Sequence, residues 1–382
     1  MRTVDRNTLA KGHLTVLQML PALEAGGVER GTVEVSQALV KAGHRSLVMS
    51  AGGQMVNELV AHGAQHFPWR VDKKRPWTLG LVRPLRRLLA AEGVDILHLR
   101  SRMPAWVGWH AWRKMPAAAR PRLVTTVHGF YSVGRYSSVM TRGERVIAVS
   151  NSICQYITQN YPAVRPENIT VIPRGVDEVH YQRGFRPHPS WRAPWPTDES
   201  PPTKVLALVG RLTRLKGHED FIQLIAALRQ RGISVRGVVV GGEHPNRKNY
   251  AQDIRSRAAS LPITFTGHRA DIREIMSKSD LVLSLSTQPE SFGRTVLEAL
   301  ALGTPVVGYD HGGVGEVLST MFPLGAVPLG NQQALVSAVT QMLADPPELR
   351  VDNPYPLKRM LDSTLNLYQQ LATTPPSTYV FE

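Results

Sequence analysis

The chain has very little cysteine and no long apolar segment. Its 382 residues include one cysteine, Cys154. A single cysteine excludes an intramolecular disulfide framework and a cysteine-rich zinc site, and it agrees with a reducing compartment. No apolar run reaches the roughly 18 residues of a membrane-spanning helix, and the N-terminus lacks the apolar core of a signal peptide. We therefore expect a soluble protein that stays in the cytoplasm.

Apolar runs rich in Val, Leu and Ile alternate with helical patterns in both halves of the chain. Such runs are typical of parallel strands covered by helices on both faces. The expected helices include residues 28–43 and 78–93, each ended by a glycine. The expected strands are residues 13–20, 46–52, 94–99, 122–129, 145–150 and 169–173 in the first half, and 204–210, 235–242, 263–267, 281–286 and 305–310 in the second.

A proline-rich stretch, RGFRPHPSWRAPWPTDESPPT at residues 183–203, separates the two halves. It has no helical period and is typical of a linker. With 42% hydrophobic residues, the chain can fill two cores of ordinary size. We expect an α/β protein with two doubly wound domains facing a cleft. The predicted segments are an N-terminal domain 1–182, the linker 183–203, a C-terminal domain 204–354, and a C-terminal helix and tail 355–382 that returns to the first domain.

Positive charge is concentrated in the first half. The chain has a net charge of +15, with 45 Lys and Arg against 30 Asp and Glu. Residues 1–190 hold 26 of these basic residues and 12 of the acidic ones, a net of +14, so the second half is nearly neutral. A basic surface of this kind fits nucleic acid, an anionic membrane leaflet or a phosphorylated small molecule, or it is simply a solvated face.

The candidate functional residues follow the carboxyl ends of predicted strands, where ligands bind in doubly wound sheets. Gly26 and Gly27 precede a helix, and their backbone N–H groups either approach a phosphate or form a plain tight turn. The glycines do not make G-x-G-x-x-G, so a dinucleotide site has little support. Arg211 and Lys216 follow the strand 204–210 and can converge on one dianion.

Two glutamates lie eight positions apart in ESFGRTVLE, residues 290–298. Glu290 precedes a predicted helix N-terminus, where a carboxylate is favourable with the helix dipole. Glu298 lies among apolar neighbours, so its carboxylate needs hydrogen-bond donors. The paired hydroxyls of a ribose are suitable donors.

These motifs resemble the retaining glycosyltransferases of family 4, which have the two-domain GT-B fold. The resemblance covers most of the chain. It rests on GGVER (26–30), VHGFYS (127–132), VIAVSN (146–151), VIPRGVD (171–177), GRLTRLKG (210–217), and ESFGRTVLE followed by ALGTPVVG. The first half also resembles members that build lipopolysaccharide core or other cell-surface glycans, through LHLRSRMPAW (97–106).

The resemblance implies a nucleotide-sugar donor, with UDP favoured over GDP or ADP, and a glycan or lipid-linked acceptor. It implies that Arg211 and Lys216 bind the donor diphosphate and that Glu298 binds the ribose. It places Glu290 against the donor sugar and His128 near the reacting centre. The remaining implied donor contacts are those of Gly27 with the phosphate, of the amides of Ser291, Phe292 and Gly293 with sugar and phosphate, and of Gly267 and His268 with the base.

The chain contains no D-x-D triplet that would hold a divalent metal. Arg211, Lys216 and helix amides must then stabilise the departing diphosphate, and neither a metal nor another cofactor is expected. We expect Glu290 to position and stabilise charge, while a nucleophilic role stays open. A structural role for His128 also stays open.

The alternatives are a nucleotide-sugar epimerase of the same fold and a non-enzymatic protein that binds nucleic acid or acts as a membrane adaptor. Nucleic acid is not expected, because the basic half lacks a basic helix with interleaved aromatics. The basic half instead predicts peripheral attachment to the cytoplasmic face of the membrane. The candidate contacts are Lys73, Lys74, Arg75, Arg83, Arg86 and Arg87, with Trp69 and Trp77 as interfacial or core side chains.

Overall fold

The computed structural model describes residues 12–197, 203–243, 248–349 and 352–374. The chain forms two compact units. Unit 1 comprises Met1–Pro173 and Lys358–Glu382, and unit 2 comprises Arg174–Leu357. The predicted positions 198–202 of the linker and 375–382 of the tail lie outside the described residues.

Unit 1 contains a seven-stranded parallel sheet in the order β3-β2-β1-β4-β5-β6-β7. This order confirms the predicted doubly wound architecture, with helices in the crossovers. Its strands are β1 Thr15–Met19, β2 Arg45–Ser50, β3 Gln65–Pro68, β4 Ile96–Leu99, β5 Arg122–Val127, β6 Arg145–Ala148 and β7 Ile169–Val171. Its first five helices are α1 Gly27–Lys41, α2 Val56–Ala61, α3 Val82–Ala91, α4 Arg102–Arg113 and α5 Asn151–Asn160.

Unit 2 repeats the arrangement with six parallel strands in the order β10-β9-β8-β11-β12-β13. The strands are β8 Lys204–Val209, β9 Val235–Val240, β10 Ile263–Gly267, β11 Leu281–Ser284, β12 Val306–Tyr309 and β13 Ala326–Val327. The helices are α6 His218–Gln230, α7 Lys248–Arg257, α8 Ile272–Ser277, α9 Arg294–Leu302, α10 Gly312–Met321 and α11 Gln332–Ala344. The last helix among the described residues is α12, Leu357–Thr373.

Helix α12 joins the core of unit 1 from Lys358 onward. The hydroxyl of Tyr368, a fully buried residue, lies 2.6 Å from Nδ1 of His98 on β4. The guanidinium of Arg122 donates to the carbonyl of Leu371 near the end of the helix. Arg122 also forms an ion pair of 2.8 Å with Glu144. Polar contacts therefore fix this helix against the sheet of its unit.

The predicted linker is packed over its described part. Trp195 is 8% exposed and lies in a cluster with Val205, Val238 and Ile275 of unit 2. The indole of Trp191 donates to Asp271 across 2.7 Å. The prolines prevent regular helix and strand in this segment. Its two tryptophans nevertheless bury enough apolar surface to hold it against unit 2.

Three local details differ from the sequence prediction. Strands β3 and β13 were not predicted, since β3 is a polar edge strand and β13 has only two residues. The predicted helix 78–93 is a 3-10 helix over Pro76–Leu81 followed by α3. Pro84 explains the break, because it has no backbone N–H to donate to the carbonyl of Gly80 and its ring would clash with that carbonyl in a continuous α-helix.

Candidate active site

The two central strands of unit 2, β8 and β11, are neighbours in space but not in sequence. Loops that leave their carboxyl ends diverge at this point, which opens a crevice for a ligand. The loop after β8 carries Arg211 and Lys216, and the loop after β11 carries Glu290. The topology therefore brings these three predicted residues to one place in the fold.

Gly217 allows the two loops to meet. Its φ is +69°, and a Cβ on this residue would lie 1.9 Å from the carbonyl oxygen of Leu285, just beyond β11. A larger residue would both strain the backbone and push the loops apart. Lys216 is thereby held next to the β11 loop.

Lys216 and Glu290 form an ion pair. The Nζ atom of Lys216 lies 2.6 Å from Oε1 of Glu290, and the two side chains are 32% and 26% exposed. The hydroxyl of Ser286 donates to the same oxygen. His311, before α10, lies with Nε2 2.7 Å from the carbonyl of Ser286, so Nε2 carries a proton. Two donors, Lys216 and Ser286, thus converge on one carboxylate oxygen, while His311 holds the backbone of Ser286.

The Glu290 carboxyl is held in its ionised form. Burial on its own would raise its pKa. The charge of Lys216 and the hydrogen bonds from Lys216 and Ser286 outweigh burial and lower the pKa below its ordinary value. The site therefore presents a fixed negative charge beside a fixed positive one at neutral pH.

Arg211 is exposed directly after β8. Its guanidinium is available to solvent at the same edge of the sheet as the Lys216–Glu290 pair. Arginine offers a planar fork of donors that suits phosphate oxygens. A diphosphate role for Arg211 and Lys216 stays a prediction.

The N-terminus of α9 follows the Glu290 loop. Gly293 is its N-cap with a φ of +83°, and no side chain caps this end of the helix. The phenyl ring of Phe292 is buried in the core of unit 2, while Ser291 is half-buried in the loop. The backbone N–H groups of this turn are suited to bind an anion or a sugar hydroxyl.

Glu298 lies in the middle of α9 and is 14% exposed. Its Oε1 accepts a hydrogen bond of 3.1 Å from Nε of Arg294, one turn earlier. The Glu298 carboxylate, for which a ribose was predicted as the donor, therefore already has a donor within the protein. A ribose contact of Glu298 stays a prediction.

Gly267 and His268 lie at the carboxyl end of β10, two strands from β8. Neighbouring strands are about 4.8 Å apart, so these residues are roughly 10 Å from the β8 loop. His268 is exposed, and Gly267 has a φ of +72°. The spacing is compatible with a ligand that extends from Lys216 to His268.

In unit 1, Gly27 and His128 follow different strands. Gly27 is the first residue of α1, whose N-terminus has no side-chain cap, and Glu29 lies in its first turn. His128 follows β5 and is half-buried, and its backbone N–H donates to the hydroxyl of Tyr131 across 3.2 Å. The roles of Gly27 and His128 stay predictions.

Ser286, Arg294 and His311 were missed by the sequence argument. His311 follows β12, so the same rule of strand carboxyl ends would have found it. Ser286 and Arg294 carry no local signature, because their role depends on contacts with Glu290 and Glu298. In the described part of the chain no group of three or more His, Cys, Asp or Glu side chains could hold a metal ion.

His218 is the first residue of α6 and follows the Lys216 loop directly. It is fully buried, its ring stacks edge-on against Tyr250, and burial together with the charge of Lys216 lowers its pKa to about 4. An unfolded histidine titrates near its ordinary value of 6.5. The unfolded chain therefore takes up a proton at pH 5 that the folded chain does not.

We predict that His218 makes the protein less stable as the pH falls from 7 to 5. The neutral ring contributes its full stability above pH 6.5, and about 2 kcal/mol of it is lost by pH 5. Urea unfolding of the wild type and of His218→Gln at both pH values measures this difference. An equal loss in the two proteins would contradict the assignment.

Two family models match the chain. Residues 25–180 match the model for Glycosyltransferase Family 4, and residues 190–353 match the model for Glycosyl transferases group 1. The N-acetyl-alpha-D-glucosaminyl L-malate synthase of Bacillus anthracis is 24% identical over 341 residues, which cover 85% of this chain and 86% of that protein.

Solved structures have the same architecture. A glycosyltransferase from Rickettsia africae ESF-5 is 26% identical with a TM-score of 0.79, over 95% of this chain and 100% of that one. Anabaena Alr3699/HepE in complex with UDP and glucose is 21% identical with a TM-score of 0.69, over 94% and 95% of the two chains. Together, the two sheets, the family models and these neighbours show that the chain is a glycosyltransferase with the GT-B fold.

Proposed function

We propose that the enzyme transfers a sugar from a nucleotide-sugar donor to a glycan or lipid-linked acceptor, with retention of anomeric configuration and without a metal ion. The acceptor belongs to lipopolysaccharide core or another cell-surface polysaccharide. The observation that carries this proposal is the Lys216–Glu290 pair of 2.6 Å where β8 and β11 diverge.

The pair suits a reaction in which charge separates. When the diphosphate leaves, negative charge grows on its oxygens and positive charge grows on the sugar ring. Lys216 and Arg211 stabilise the first charge, and the ionised carboxylate of Glu290 stabilises the second. A preformed pair supplies both signs without reorganisation.

Glu290 acts as a positioning group in this proposal. Its Oε1 already accepts hydrogen bonds from Lys216 and Ser286, which withdraw electron density and make the oxygen a weaker nucleophile. Retention then follows from attack of the acceptor on the face that the diphosphate leaves, with a phosphate oxygen taking the acceptor proton. Neither step requires a metal.

A UDP-sugar is the preferred donor. Support comes from the Anabaena neighbour, whose structure holds UDP and glucose. The test is turnover of UDP-, GDP- and ADP-sugars with a panel of glycan acceptors in the presence of EDTA, with NMR of the product anomer. We expect the donor's α-configuration to be kept and EDTA to have no effect. An inverted product or a lost activity would contradict the proposal, and donor incubated alone controls for epimerisation.

We further propose that the enzyme works in the cytoplasm as a peripheral membrane protein. Around the 3-10 helix before α3, Trp77 is 67% exposed and Leu79 is 46% exposed. Trp69, by contrast, packs partly buried against the core of unit 1. Five of the six candidate cations of this segment are exposed and Arg86 is half-buried. The exposed ones are Lys73, Lys74, Arg75, Arg83 and Arg87. None of the described helices is long and apolar enough to cross a bilayer.

Changing four of them, Lys73, Arg75, Arg83 and Arg87, to glutamine is expected to weaken binding to anionic vesicles at least tenfold, since each contributes roughly 1 kcal/mol near an anionic surface. Co-sedimentation with neutral and anionic liposomes at two salt concentrations measures the effect. Equal binding to both vesicle types, or to neither, would remove the membrane from the proposal. Neutralising Lys41, another exposed cation of unit 1, should have no effect.

A further inference from the structure

Unit 1 has its own crevice where β1 and β4 diverge at the carboxyl edge of the sheet. Arg102, the first residue of α4, lies here, shortly after β4. His128 follows β5, the neighbour of β4. Arg102 and His128 therefore leave adjacent strands on the same edge.

Two cations surround one tyrosine at this crevice. The Nζ atom of Lys74 lies 3.8 Å from the ring centroid of Tyr136, and the guanidinium carbon of Arg102 lies 5.3 Å from the same centroid. Arg102 also lies 4.8 Å from the ring centroid of Tyr131 and donates to the hydroxyl of Ser137 across 3.3 Å. Aromatic rings thus hold both cations in place.

This positive charge is not neutralised by the protein. Across the described residues, neither Arg102 nor Lys74 forms an ion pair with a carboxylate. Cation–π contacts compensate only a fraction of a full charge. Ser137 accepts one N–H of Arg102, although a guanidinium carries five. Arg102 therefore has further N–H groups with which it can bind an anion.

Tyr131 connects Arg102 to His128. Its ring lies under the guanidinium of Arg102, while its hydroxyl accepts from the backbone N–H of His128. The hydroxyl of Tyr156 fixes the other end of the residue by donating to its carbonyl across 2.6 Å. One tyrosine therefore separates the guanidinium of Arg102 from the backbone of His128.

We propose that Arg102 and Lys74, with Tyr131 and Tyr136, form a subsite for a phosphate group on the acceptor. The planar fork of arginine fits two phosphate oxygens, and lysine adds a point charge. The inference rests on the proposed function, and it also uses the family resemblance, which places His128 near the reacting centre. The phosphate belongs either to a soluble phosphate ester or to a lipid phosphate.

Inorganic phosphate is the probe for the subsite. Isothermal titration is done on the full chain saturated with UDP, so that UDP occupies the diphosphate site of unit 2. Phosphate should bind the wild type and the control Lys41→Gln equally. It should bind Arg102→Gln and Lys74→Gln at least tenfold more weakly. Equal phosphate binding by all four proteins, or no binding by the wild type, would overturn the subsite.

Vesicles distinguish the two sources of phosphate. Vesicles of neutral lipid, with or without added phosphatidic acid, are titrated with a variant in which Lys73, Arg75, Arg83 and Arg87 are replaced by glutamine. If the added change Arg102→Gln still lowers binding to phosphatidic acid, a lipid phosphate is the ligand. If it lowers only the binding of inorganic phosphate, a soluble ester is the ligand.

Failure of this inference differs from failure of the proposed function. UDP titration of the same variants should give the wild-type affinity, because neither Arg102 nor Lys74 is among the residues assigned to the donor. A wild type that binds no nucleotide sugar would refute the proposed function whatever phosphate does. Intact UDP binding with unchanged phosphate binding would refute the subsite alone.

Discussion

Replacement of Glu290 by glutamine should lower kcat about 100- to 1000-fold, the usual loss when one preorganised electrostatic group is removed from an active site. Affinity for the donor should stay the same or improve. Glutamine keeps the size of the side chain but removes the charge that Lys216 now pairs with, so Lys216 becomes freer to contact the diphosphate. Steady-state kinetics with the preferred nucleotide sugar measure both quantities.

Glu298→Gln is the matched variant, because it makes the same chemical change eight residues away. A ribose contact is present in the ground state and the transition state alike, so its loss should raise KM and change kcat little. Equal losses of affinity in the two variants, with turnover unchanged in both, would contradict this division of roles.

Lys216→Ala should weaken binding of UDP about 10- to 100-fold, since a charge-assisted contact is worth about 1.5–3 kcal/mol. Arg211→Ala should have a similar effect. Removal of Lys216 also deprives Glu290 of its main positive neighbour, so the pKa of Glu290 should rise. Calorimetric titration with UDP measures the affinity, and circular dichroism checks that the fold is intact.

Lys278→Ala is the control for this result. Lys278 is an exposed lysine of the same unit, shortly before β11 begins, and therefore lies at the opposite edge of the sheet. Its loss should not change UDP binding. If Lys216→Ala and Arg211→Ala also bind UDP as tightly as the wild type, their assignment to the diphosphate is wrong.

The sequence predicted the architecture because buried parallel strands have a strong local pattern. The runs 204–210 and 281–286 are apolar, and the structure has β8 and β11 within them. The local sequence pattern does not predict packing that depends on tertiary contacts. Residues 183–197 look like a linker by proline content, yet Trp195 is buried against Val205 and Val238.

The candidate site was predictable in part for the same reason. The rule that ligands bind beyond strand carboxyl ends selected Lys216 and Glu290 separately. Their ion pair joins residues 74 positions apart. Such a contact depends on strand order, which the sequence pattern does not contain. The partnership of Arg294 with Glu298 was missed because the argument sought donors in the ligand rather than one turn away on the same helix.

The most direct test of the central claim is a crystal structure of the enzyme with an intact, unreactive UDP-sugar analogue. We predict that Nζ of Lys216 lies within hydrogen-bond distance of a diphosphate oxygen and that the carboxylate of Glu290 faces the sugar ring. A complex in which the diphosphate contacts neither Lys216 nor Arg211, with the Lys216–Glu290 pair remote from the sugar, would contradict the account.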